Sequence, residues 1–349
     1  MSLRVRLVAK GFEVPLVVER EVAQGAIPAC HVRVRLAASG VCHRDLIDRQ
    51  GRIPYLSLPV TPGHEGVGRV DAVGPGLDPS LVGQRLATLH RDACGECPRC
   101  LEGNTSFCAQ AAHVFGLTAD GTYATFITAP RSAFYAVTLD EAVLDDATAA
   151  CLACTFGTAY RNLVTRGGLK VGESVLITGA NGGVGVAAIQ IAHRHGARVT
   201  AAVRETRHVE ALKALGADEV VVAPDGRVHD HCGGFDLVLE NVGASVFPHA
   251  LRCLRLGGRL ASVGNIDPTR VPLNLGQLIV FGQTVFGAGG ATPDDMAAVL
   301  ALHGQRPFVL PIAGRMRLFQ AEDAHRLLAQ GGLFGRIVMS PDPDTEVSP

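Results

Sequence analysis

A glycine-rich turn between a buried strand and a helix constrains the fold of this chain more than any other feature. The turn reads Ala180-Asn181-Gly182-Gly183-Val184-Gly185, an A-x-G-x-x-G pattern. An apolar segment at 173–178 precedes it, and residues 184–195 follow with helical spacing. N–H groups at such a helix start can hold a pyrophosphate, so we predict a dinucleotide site formed by Ala180, Gly182, Gly183, Val184 and Gly185. The alternative is a glycine-rich turn that binds no ligand.

Strands and helices alternate through the segment around this turn. The predicted strands lie at 173–178, 198–203, 219–222, 235–240 and 258–263. Helical patterns separate them, and this βαβ rhythm is typical of a parallel, doubly wound sheet. We therefore predict an α/β fold in which residues 151–289 form a Rossmann dinucleotide-binding domain.

The segments on either side of this domain have a different pattern. Residues 1–150 contain short alternating runs separated by Gly, Pro and Asp turns, which predicts a β-rich, barrel-like domain. Residues 290–349, with a helix expected near 321–330 and a strand at 335–339, are assigned to the same domain. At 349 residues and 47% hydrophobic composition, the chain can bury two such cores.

Charge and hydropathy exclude several classes of function. Lys and Arg (32) nearly balance Asp and Glu (33), and no basic patch stands out, so we expect no nucleic acid partner. No run reaches the roughly 18 apolar residues of a membrane span, and the N-terminus shows strand alternation rather than a targeting leader. We therefore expect a cytoplasmic protein with no membrane partner. Its ten cysteines then favour metal or redox chemistry over disulfides.

Four of the cysteines lie close together in one loop. Cys94, Cys97, Cys100 and Cys108 follow the spacing C-x2-C-x2-C-x7-C, in a lobe at about 90–110. Four thiolates at this spacing can surround Zn²⁺ tetrahedrally and leave no position for substrate, which predicts a structural zinc. Ferredoxin-type iron–sulfur sites open with the same run, but their fourth cysteine normally follows after three residues. Four unrelated buried thiols are the other alternative.

Three further segments carry candidate metal ligands. They read Gly40-Val41-Cys42-His43-Arg44-Asp45, Gly63-His64-Glu65 and Cys151-Leu152-Ala153-Cys154. Each is weak by itself, because a single Cys or His is more often a core or surface residue than a ligand. Their significance lies in their combination with the four-cysteine lobe.

The motifs GVCHRD, PGHEGVG, the four-cysteine lobe, CTFGTAY and GANGGVG occur in this order and resemble zinc-containing medium-chain dehydrogenases, the alcohol dehydrogenase family. The resemblance covers nearly the whole chain and implies a GroES-like catalytic domain, two Zn²⁺ ions per chain and a homodimer or homotetramer. It also implies that Cys42, His64 and Cys154 bind a catalytic zinc whose fourth position stays open. Cys151 is the alternative to Cys154, which lies six residues before Tyr160 as the family pattern requires.

The same resemblance assigns roles to other residues. Asp45 would orient His64 through its second ring nitrogen, and Glu65 would be a stand-in ligand when water leaves. Three residues would contact the cofactor: Thr158 at the nicotinamide, and His43 and Arg336 at the pyrophosphate. The glycine-rich segment 282–290 is a candidate edge strand for pairing across a dimer, with a simple buried strand as the alternative.

The end of the second predicted strand bears on the choice of dinucleotide. The acidic residue that would bind the ribose 2′-hydroxyl of NADH is missing there, and Arg204 and Arg207 follow instead. Two arginines suit a 2′-phosphate, so we expect NADPH rather than NADH. Glu205 is the counter-argument, because its carboxylate could serve as the displaced acid. A solvated surface arginine is the alternative for Arg204, Arg207 and Arg336.

The second residue after Cys42 departs from the alcohol dehydrogenase pattern. The family carries a Ser or Thr there, and often a His three residues further on, which relay a proton; this chain has Arg44 and Ile47. Arg cannot lose a proton in a protein, but it can stabilise an anion such as an enolate. The alternative is that Arg44 turns outward to the cofactor or to the rim of the site.

The stretches GVCHRDL, CTFGTAYRNL and GNIDPT (264–269) are similar to acryloyl-coenzyme A reductases within this family. We therefore expect a zinc-dependent NADPH oxidoreductase that reduces the activated C=C bond of an enoyl thioester or enone. Its catalytic residues would be Arg44, Asp45 and Glu65. One alternative is an alcohol or aldehyde dehydrogenase with water, Asp48 or the ribose hydroxyl as its proton path. Another is a dinucleotide-binding protein that has lost its chemistry.

Overall fold

The computed structural model of the chain describes residues 2–267 and 269–341. Within these ranges the chain separates into two compact units. The first combines the described residues of segments 1–154, 290–307 and 312–349, and the second combines those of segments 155–289 and 308–311. Residue 268, in the GNIDPT stretch, and residues 342–349, in the expected C-terminal part of the catalytic domain, lie outside the described residues.

Strands dominate the first unit, whereas strands and helices alternate in the second. The strands are β1 (Leu3–Arg6), β2 (Val17–Arg20), β3 (His31–Val41), β4 (Glu65–Val73), β5 (Arg85–Thr88), β6 (Phe126–Pro130), β7 (Phe134–Ala136), β8 (Ser174–Ile177), β9 (Arg198–Val203), β10 (Glu219–Val222), β11 (Phe235–Glu240), β12 (Leu254–Ser262), β13 (Thr284–Gly287), β14 (Ile312–Arg317) and β15 (Arg336–Ser340). The α-helices are α1 (His43–Arg49), α2 (Pro98–Leu101), α3 (Asp146–Cys151), α4 (Thr158–Tyr160), α5 (Gly183–Arg194), α6 (Val209–Ala214), α7 (Phe247–Arg252), α8 (Leu275–Phe281), α9 (Pro293–Gln305) and α10 (Ala321–Gln330).

Strand β3 is central to the main sheet of the first unit. The strand order is β14-β15-β3-β4-β5-β7, and β6 also pairs with β3. Alternate residues of β3, namely Val32, Val34 and Leu36, are buried against Phe115 and Ile127, as expected where one sheet face covers a core. Val41, the last residue of β3, still pairs with Ile337 of β15. Cys42 is therefore the first residue beyond the end of this strand.

A second apolar core of the first unit lies between β1, β15 and α10. Helix α10 buries Ala321, Ala324, His325 and Leu328, whose spacing of three and four residues places them on one face. Ala321, Ala324 and Leu328 belong to a cluster that also contains residues of β1, α1 and β15 together with Tyr123, and His325 lies on the same buried face of the helix. Two polar rings, those of Tyr123 and His325, are therefore enclosed in a mainly aliphatic core.

The second unit is built around a parallel sheet with the order β10-β9-β8-β11-β12-β13. Its first strand, β8, is buried along its whole length. The chain adds β9 and β10 on one side of β8 and then returns to add β11, β12 and β13 on the other. This reversal beside β8 is the place where doubly wound sheets bind dinucleotides, at the carboxyl ends of the strands.

The doubly wound parallel sheet predicted from the glycine turn is confirmed. Strands β10 and β11 have the expected limits, whereas β12 begins four residues earlier than predicted. The pairing of β11 with β12 shifts register between Phe235 and Leu237, so the strand extends back to Leu254 through an irregular stretch. Strand β13 forms one edge of the sheet, within the segment 282–290 for which an edge strand and a buried strand were the two alternatives.

Helix α8 was not predicted from the sequence. Its residues Leu275, Ile279 and Val280 are 65%, 79% and 75% exposed, so the helix lacks the polar outer face by which a surface helix is recognised. Within the described residues, no helix has both the length and the apolar character needed to cross a bilayer.

Candidate metal centres and dinucleotide site

The four-cysteine lobe brings its sulfur atoms together without bonding them to each other. Cys94 Sγ lies 3.8 Å from Cys100 Sγ and 3.6 Å from Cys108 Sγ, and Cys97 Sγ lies 3.9 Å from Cys108 Sγ. Two sulfurs that bind one Zn²⁺ tetrahedrally at about 2.3 Å would lie about 3.8 Å apart. These distances exceed that of a disulfide bond. The thiol set therefore fits a tetrahedral zinc.

Backbone groups within the lobe stabilise the sulfurs. Cys97 N–H points at Cys94 Sγ at 3.3 Å, and Cys94 N–H points at Cys108 Sγ at 3.4 Å. Gly95 has φ +80°, a conformation that favours glycine, and it turns the chain between the first two cysteines. N–H donors aimed at sulfur favour the thiolate form that binds metal.

Three different elements contribute to a second group of ligand atoms in the first unit. Cys42 caps the N-terminus of α1 directly after β3, and His64 immediately precedes β4. Cys154 follows α3, within a π-helical turn at Ala153–Gly157. Because β3 pairs with β4 over Gly40 and Glu65, the first two segments meet at the same end of the sheet.

The distances in this second group also fit a tetrahedral metal. Cys42 Sγ lies 3.8 Å from Cys154 Sγ, and Cys154 Sγ lies 3.6 Å from His64 Nε2. A sulfur and an imidazole nitrogen that share one Zn²⁺ would be about 3.6 Å apart. Glu65 belongs to the same group, in which all four ligand atoms lie within 4.8 Å of one another. Cys151 does not belong to it.

Asp45 orients His64 from behind. Its Oδ1 lies 3.1 Å from His64 Nδ1, and its Oδ2 accepts a hydrogen bond of 2.9 Å from the Cys42 N–H. Burial opposes ionisation of Asp45, but the charge and hydrogen bond of His64 outweigh it and lower the pKa of the carboxyl. Burial and Arg44 likewise act against protonation of His64, yet Asp45 raises the pKa of the imidazole to about 9. A metal at Nε2 would compete with this proton.

Glu65 and Arg336 form a buried ion pair beside the ligand atoms. Arg336, at the start of β15, donates to Glu65 Oε1, and Glu65 Oε2 has no hydrogen-bond partner among the described residues. Burial, opposed by the Arg336 charge, raises the pKa of Glu65. A Cβ at Gly40 would lie 2.2 Å from Glu65 Oε2 and 2.7 Å from Cys151 Sγ, so only glycine fits there. Cys151 thus packs behind Glu65.

Arg44 is held by contacts within its own unit. Its Nε donates to Asp48 Oδ2 at 3.0 Å, one turn further along α1, and its terminal nitrogen donates to the Phe115 carbonyl. The side chain is 21% exposed, whereas that of Asp48 is 4% exposed. Burial is the main reason that the pKa of Asp48 is raised to about 6. These contacts hold the guanidinium of Arg44, the second residue after Cys42 in the sequence, in one position.

Sequence reasoning did not single out three further rings near this centre, those of His90, Tyr123 and His325. The His90 ring stacks on His64 at 5.4 Å between centroids, and its Nδ1 has no hydrogen-bond partner among the described residues. Burial and the neighbouring charge of His64 lower the pKa of His90 to about 3. No motif surrounds these residues, so only the fold could reveal them.

The glycine-rich turn connects β8 to α5 in the second unit. Gly179 has φ +56°, and Gly182 caps the helix with its N–H bonded to the Gly179 carbonyl at 3.0 Å. A Cβ at Gly185 would lie 2.5 Å from that carbonyl oxygen, so the helix approaches the strand more closely than any side chain would allow. Such a backbone cradle at a helix N-terminus fits a pyrophosphate.

Arg204, Glu205 and Arg207 follow the second strand of this sheet, β9. Arg207 Nε lies 2.8 Å from Glu205 Oε2, and both side chains are about half exposed. The acid that could replace the missing ribose ligand is thus paired with an arginine. Arg204 immediately follows Val203, the last residue of β9.

Comparisons with known proteins agree with this geometry. Residues 28–139 match the alcohol dehydrogenase GroES-like domain, and residues 183–304 match the zinc-binding dehydrogenase domain. An acryloyl-coenzyme A reductase of Metallosphaera sedula is 30% identical, over 95% of this chain and 97% of that protein. An alcohol dehydrogenase of Geobacillus stearothermophilus is 33% identical, over 96% and 99% respectively. The crystal structure of AibC superposes with a TM-score of 0.85 at 35% identity and covers 98% of this chain and 96% of that one.

The chain belongs to the zinc-containing medium-chain dehydrogenase/reductase family. The expected resemblance and the α/β fold with a GroES-like domain and a Rossmann domain are therefore confirmed. As a member of this family the protein is an oxidoreductase that acts on small molecules, which removes the alternative of a dinucleotide-binding protein without catalysis.

The three residues that the resemblance assigned to the cofactor lie in different parts of the fold, and their contact with the cofactor stays a prediction. His43 is the first residue of α1, and burial lowers its pKa. Arg336 is 6% exposed and engaged with Glu65 in the first unit. Thr158 lies in the second unit, is 7% exposed and accepts a hydrogen bond from Asn162 at its carbonyl.

Proposed function

We propose that the protein is an NADPH-dependent zinc enzyme that reduces the activated C=C bond of an enoyl thioester or enone. The observation that carries this proposal is Arg44. It stands where an alcohol dehydrogenase of the family has a hydroxyl that relays a proton, and its contacts to Asp48 and the Phe115 carbonyl keep a cation near Cys42. The similarity to acryloyl-coenzyme A reductases supports the same reaction.

The ligand sets proposed for two zinc ions follow from the donor atoms. Cys94, Cys97, Cys100 and Cys108 would hold a structural ion, and Cys42, His64 and Cys154 a catalytic one, with Glu65 as the stand-in ligand. A zinc ion held there would supply a Lewis acid for the substrate carbonyl, and NADPH would supply the hydride. Because Nδ1 of His64 is engaged by Asp45, Nε2 is the ring nitrogen that would bind the metal in place of a proton.

Arg44 acts on the charge that develops during the reaction. When hydride adds to the β-carbon of a conjugated carbonyl compound, the C=C bond becomes single and negative charge moves to the carbonyl oxygen, forming an enolate. A fixed guanidinium stabilises that charge and cannot remove a proton from an alcohol. The enolate then takes up a proton from solvent water at its α-carbon, which completes the reduction and leaves hydroxide to the solvent.

The proposed preference for NADPH rests on the residues that follow β9. Arg204 supplies a cation where a 2′-phosphate would bind in a Rossmann domain. Glu205 argues less strongly for NADH than its position suggests, because its carboxylate already pairs with Arg207.

The proposed homo-oligomer would form through the second unit. Strand β13 is an edge strand whose outer side can pair with a second copy, and α8 exposes Leu275, Ile279 and Val280 close to it in sequence. An apolar helix face next to an open sheet edge is well suited to a twofold interface, because each copy offers the same surface.

Replacement of Arg44 by Ser tests the proposal. We expect kcat/KM for acryloyl-coenzyme A to fall about 100-fold, the size expected for loss of one preorganised charge donor, while aldehyde reduction is preserved or rises. Arg69→Ser is a matched control, since Arg69 is exposed in the same unit and pairs with Glu141 at the surface. Unchanged enoyl turnover in the Arg44 variant would refute the proposed role.

The second candidate function is an alcohol or aldehyde dehydrogenase, favoured by the Geobacillus relative. Asp48 could then carry the proton, because it is buried, has a pKa of about 6 and retains one carboxylate oxygen without a hydrogen-bond partner among the described residues. In that case Asp48→Asn should reduce alcohol oxidation strongly, and Arg44→Ser should leave it intact.

A further inference from the structure

A chain of hydrogen bonds leads from Asp45 into the apolar core of the first unit. The Tyr123 hydroxyl lies 2.9 Å from Asp45 Oδ2, and His325 Nε2 lies 3.2 Å from the same hydroxyl oxygen. All three side chains are at most 1% exposed. Burial of polar groups costs free energy unless they are hydrogen-bonded, so this polar chain within an aliphatic core requires an explanation.

The protons in this chain have one consistent arrangement. Ionised Asp45 can only accept, so the Tyr123 hydroxyl donates its single proton to Oδ2. The hydroxyl oxygen then accepts from His325, whose Nε2 carries the proton of a neutral imidazole. Burial, opposed by Asp45, lowers the pKa of His325 to about 4, which keeps the ring neutral. His325 Nδ1 has no hydrogen-bond partner among the described residues, as expected for the unprotonated nitrogen.

The donors on the other side of Asp45 also point toward it. His64 Nδ1–H donates to Oδ1 at 3.1 Å, and the Cys42 N–H donates to Oδ2 at 2.9 Å. The His64 ring, the Cys42 N–H and the Tyr123 hydroxyl thus all donate to the Asp45 carboxylate. With Nδ1 engaged by Asp45, His64 directs its other ring nitrogen, Nε2, toward the Cys154 thiol, and Nε2 is the nitrogen at which a metal would replace a proton.

The backbone holds Tyr123 firmly against the segment that carries His64. The Tyr123 N–H donates to the Pro62 carbonyl at 3.0 Å, and its carbonyl accepts from the Val5 N–H at 2.9 Å. A Cβ at Gly63 would lie 2.4 Å from the Tyr123 ring, so the ring packs directly on this segment. Its hydroxyl therefore has little freedom to leave Asp45.

Helix α10 carries His325, the far end of this chain of hydrogen bonds. His325 lies on its buried face, and its ring meets that of Tyr123 edge-on at 5.7 Å between centroids. Glu322, one turn earlier, accepts a hydrogen bond from Arg49, which is fully buried at the end of α1. Since Asp45 lies on α1, helices α1 and α10 are connected twice: through Asp45, Tyr123 and His325, and through Arg49 and Glu322.

We propose that Tyr123 and His325 are positioning residues which, through Asp45, fix the orientation of the His64 imidazole at the catalytic metal. The inference rests on the proposed role of His64 as a metal ligand. Without the Tyr123 hydroxyl, Asp45 keeps the Cys42 N–H and His64 as partners but loses its attachment to the core. The imidazole could then rotate, and metal would bind less tightly.

The test measures metal binding rather than turnover. Four full-length variants are prepared with Co²⁺ in place of zinc: Tyr123→Phe, His325→Leu, His325→Gln and the control Tyr135→Phe. Tyr135 is a buried tyrosine of the same unit whose hydroxyl makes one long contact of 3.5 Å to Ala149. A Cys42→Ser chain identifies which absorption bands belong to the catalytic site. Release of Co²⁺ to a chelator is followed in those bands, and thermal unfolding is recorded in parallel.

We expect Tyr123→Phe and His325→Leu to shift the bands of this site and to release its metal about 10-fold faster, at the lower end of outer-shell effects on metal sites. In His325→Gln the amide can still donate to Tyr123, so the bands and the release rate should return most of the way to those of the wild type. Tyr135→Phe should behave as wild type. His325→Leu gives the same readout if Tyr123→Phe does not fold.

Wild-type bands and release rates in both Tyr123→Phe and His325→Leu would overturn this inference alone. Equal acceleration in the Tyr135→Phe control would also overturn it, because the effect would then reflect general loosening of the core. A wild-type chain that binds no metal through Cys42 would instead contradict the proposed function on which the inference rests.

Discussion

The side chains around the candidate catalytic metal are arranged by a single carboxylate. Asp45 accepts hydrogen bonds from His64, the Cys42 backbone and Tyr123, so it connects two candidate ligands with the core. Its charge also explains why the pKa of His64 is raised although the ring is buried. Asp45 therefore orients the candidate metal centre although it is not one of the candidate ligands.

Replacement of Asp45 by Asn should weaken metal binding. The amide lacks the negative charge. Its NH₂ group would also face a hydrogen-bond donor, either the His64 ring or the Cys42 N–H, so His64 loses its orientation. We expect zinc affinity at the catalytic site to fall about 10- to 100-fold in competition with a chromophoric chelator. Asp71→Asn is the control, because Asp71 forms a partly exposed pair with Arg33 in the same unit. Equal affinities in the two variants would contradict the role of Asp45.

The buried His325 predicts how stability depends on pH. Its pKa is about 4 in the folded chain, lowered by burial and Arg49 against Asp45 and Glu322, and about 6.5 in an unfolded chain. Between these values the unfolded chain binds a proton that the folded chain does not. Stability should therefore fall as the pH is lowered from about 6.5 to 4, by up to about 3 kcal/mol from this residue.

The contribution of His325 is measured by denaturant unfolding of wild type and His325→Gln between pH 4 and 7.5. Other groups titrate in both proteins, so the difference between the two curves isolates this imidazole. We expect the wild type to lose more stability than the variant over this range. Parallel curves would mean that His325 is not held neutral by burial.

At the scale of secondary structure, each site depends on an element that begins where a strand ends. Cys42 caps α1 directly after β3, and Gly182 caps α5 shortly after β8. A helix start at the end of a strand presents N–H groups outward, which suits a thiolate in one unit and a pyrophosphate in the other.

Replacement of Gly185 by Ala should disturb the start of α5. The added methyl group would lie 2.5 Å from the Gly179 carbonyl oxygen and 2.6 Å from the Ala180 Cα, so helix and strand must separate. We expect a loss of about 1–3 kcal/mol in stability and weaker NADPH binding, measured by thermal unfolding and nucleotide fluorescence. Gly233→Ala, in a loop of the same unit with open space around the added carbon, should change neither. Wild-type NADPH affinity in Gly185→Ala would argue against the proposed pyrophosphate cradle.

At the scale of the whole molecule, the exposed apolar face of α8 predicts self-association. Ile279→Asp should shift the protein toward monomer in sedimentation velocity, because a carboxylate would be buried in the proposed interface. Val171→Asp is a matched control, since Val171 is 85% exposed in the same unit but lies away from α8 in sequence. Identical sedimentation of the two variants would contradict an interface through α8.

The sequence was sufficient for the parts of the molecule that local patterns encode. The strand-turn-helix at Gly182 and the four-cysteine lobe have fixed spacing, and both could be identified without the fold. The pair between Glu65 and Arg336 joins residues 271 positions apart, and Tyr123 and His325 are 202 positions apart. No local pattern specifies such contacts. Arg44 could be recognised as unusual, but its attachment to the Phe115 carbonyl required the structure.

Nicotinamide oxidation by the zinc-loaded wild type distinguishes reduction of a conjugated C=C bond from reduction of a carbonyl group. NADPH and NADH are each offered with acryloyl-coenzyme A, an enone and an aldehyde, and the products are identified by mass and by loss of the C=C bond. We expect rapid turnover of the two conjugated substrates with NADPH, slower turnover with NADH, and little reduction of the aldehyde. Turnover of the aldehyde alone would contradict the proposed function, because Arg44 would then stand in a working alcohol dehydrogenase whose proton leaves by another path.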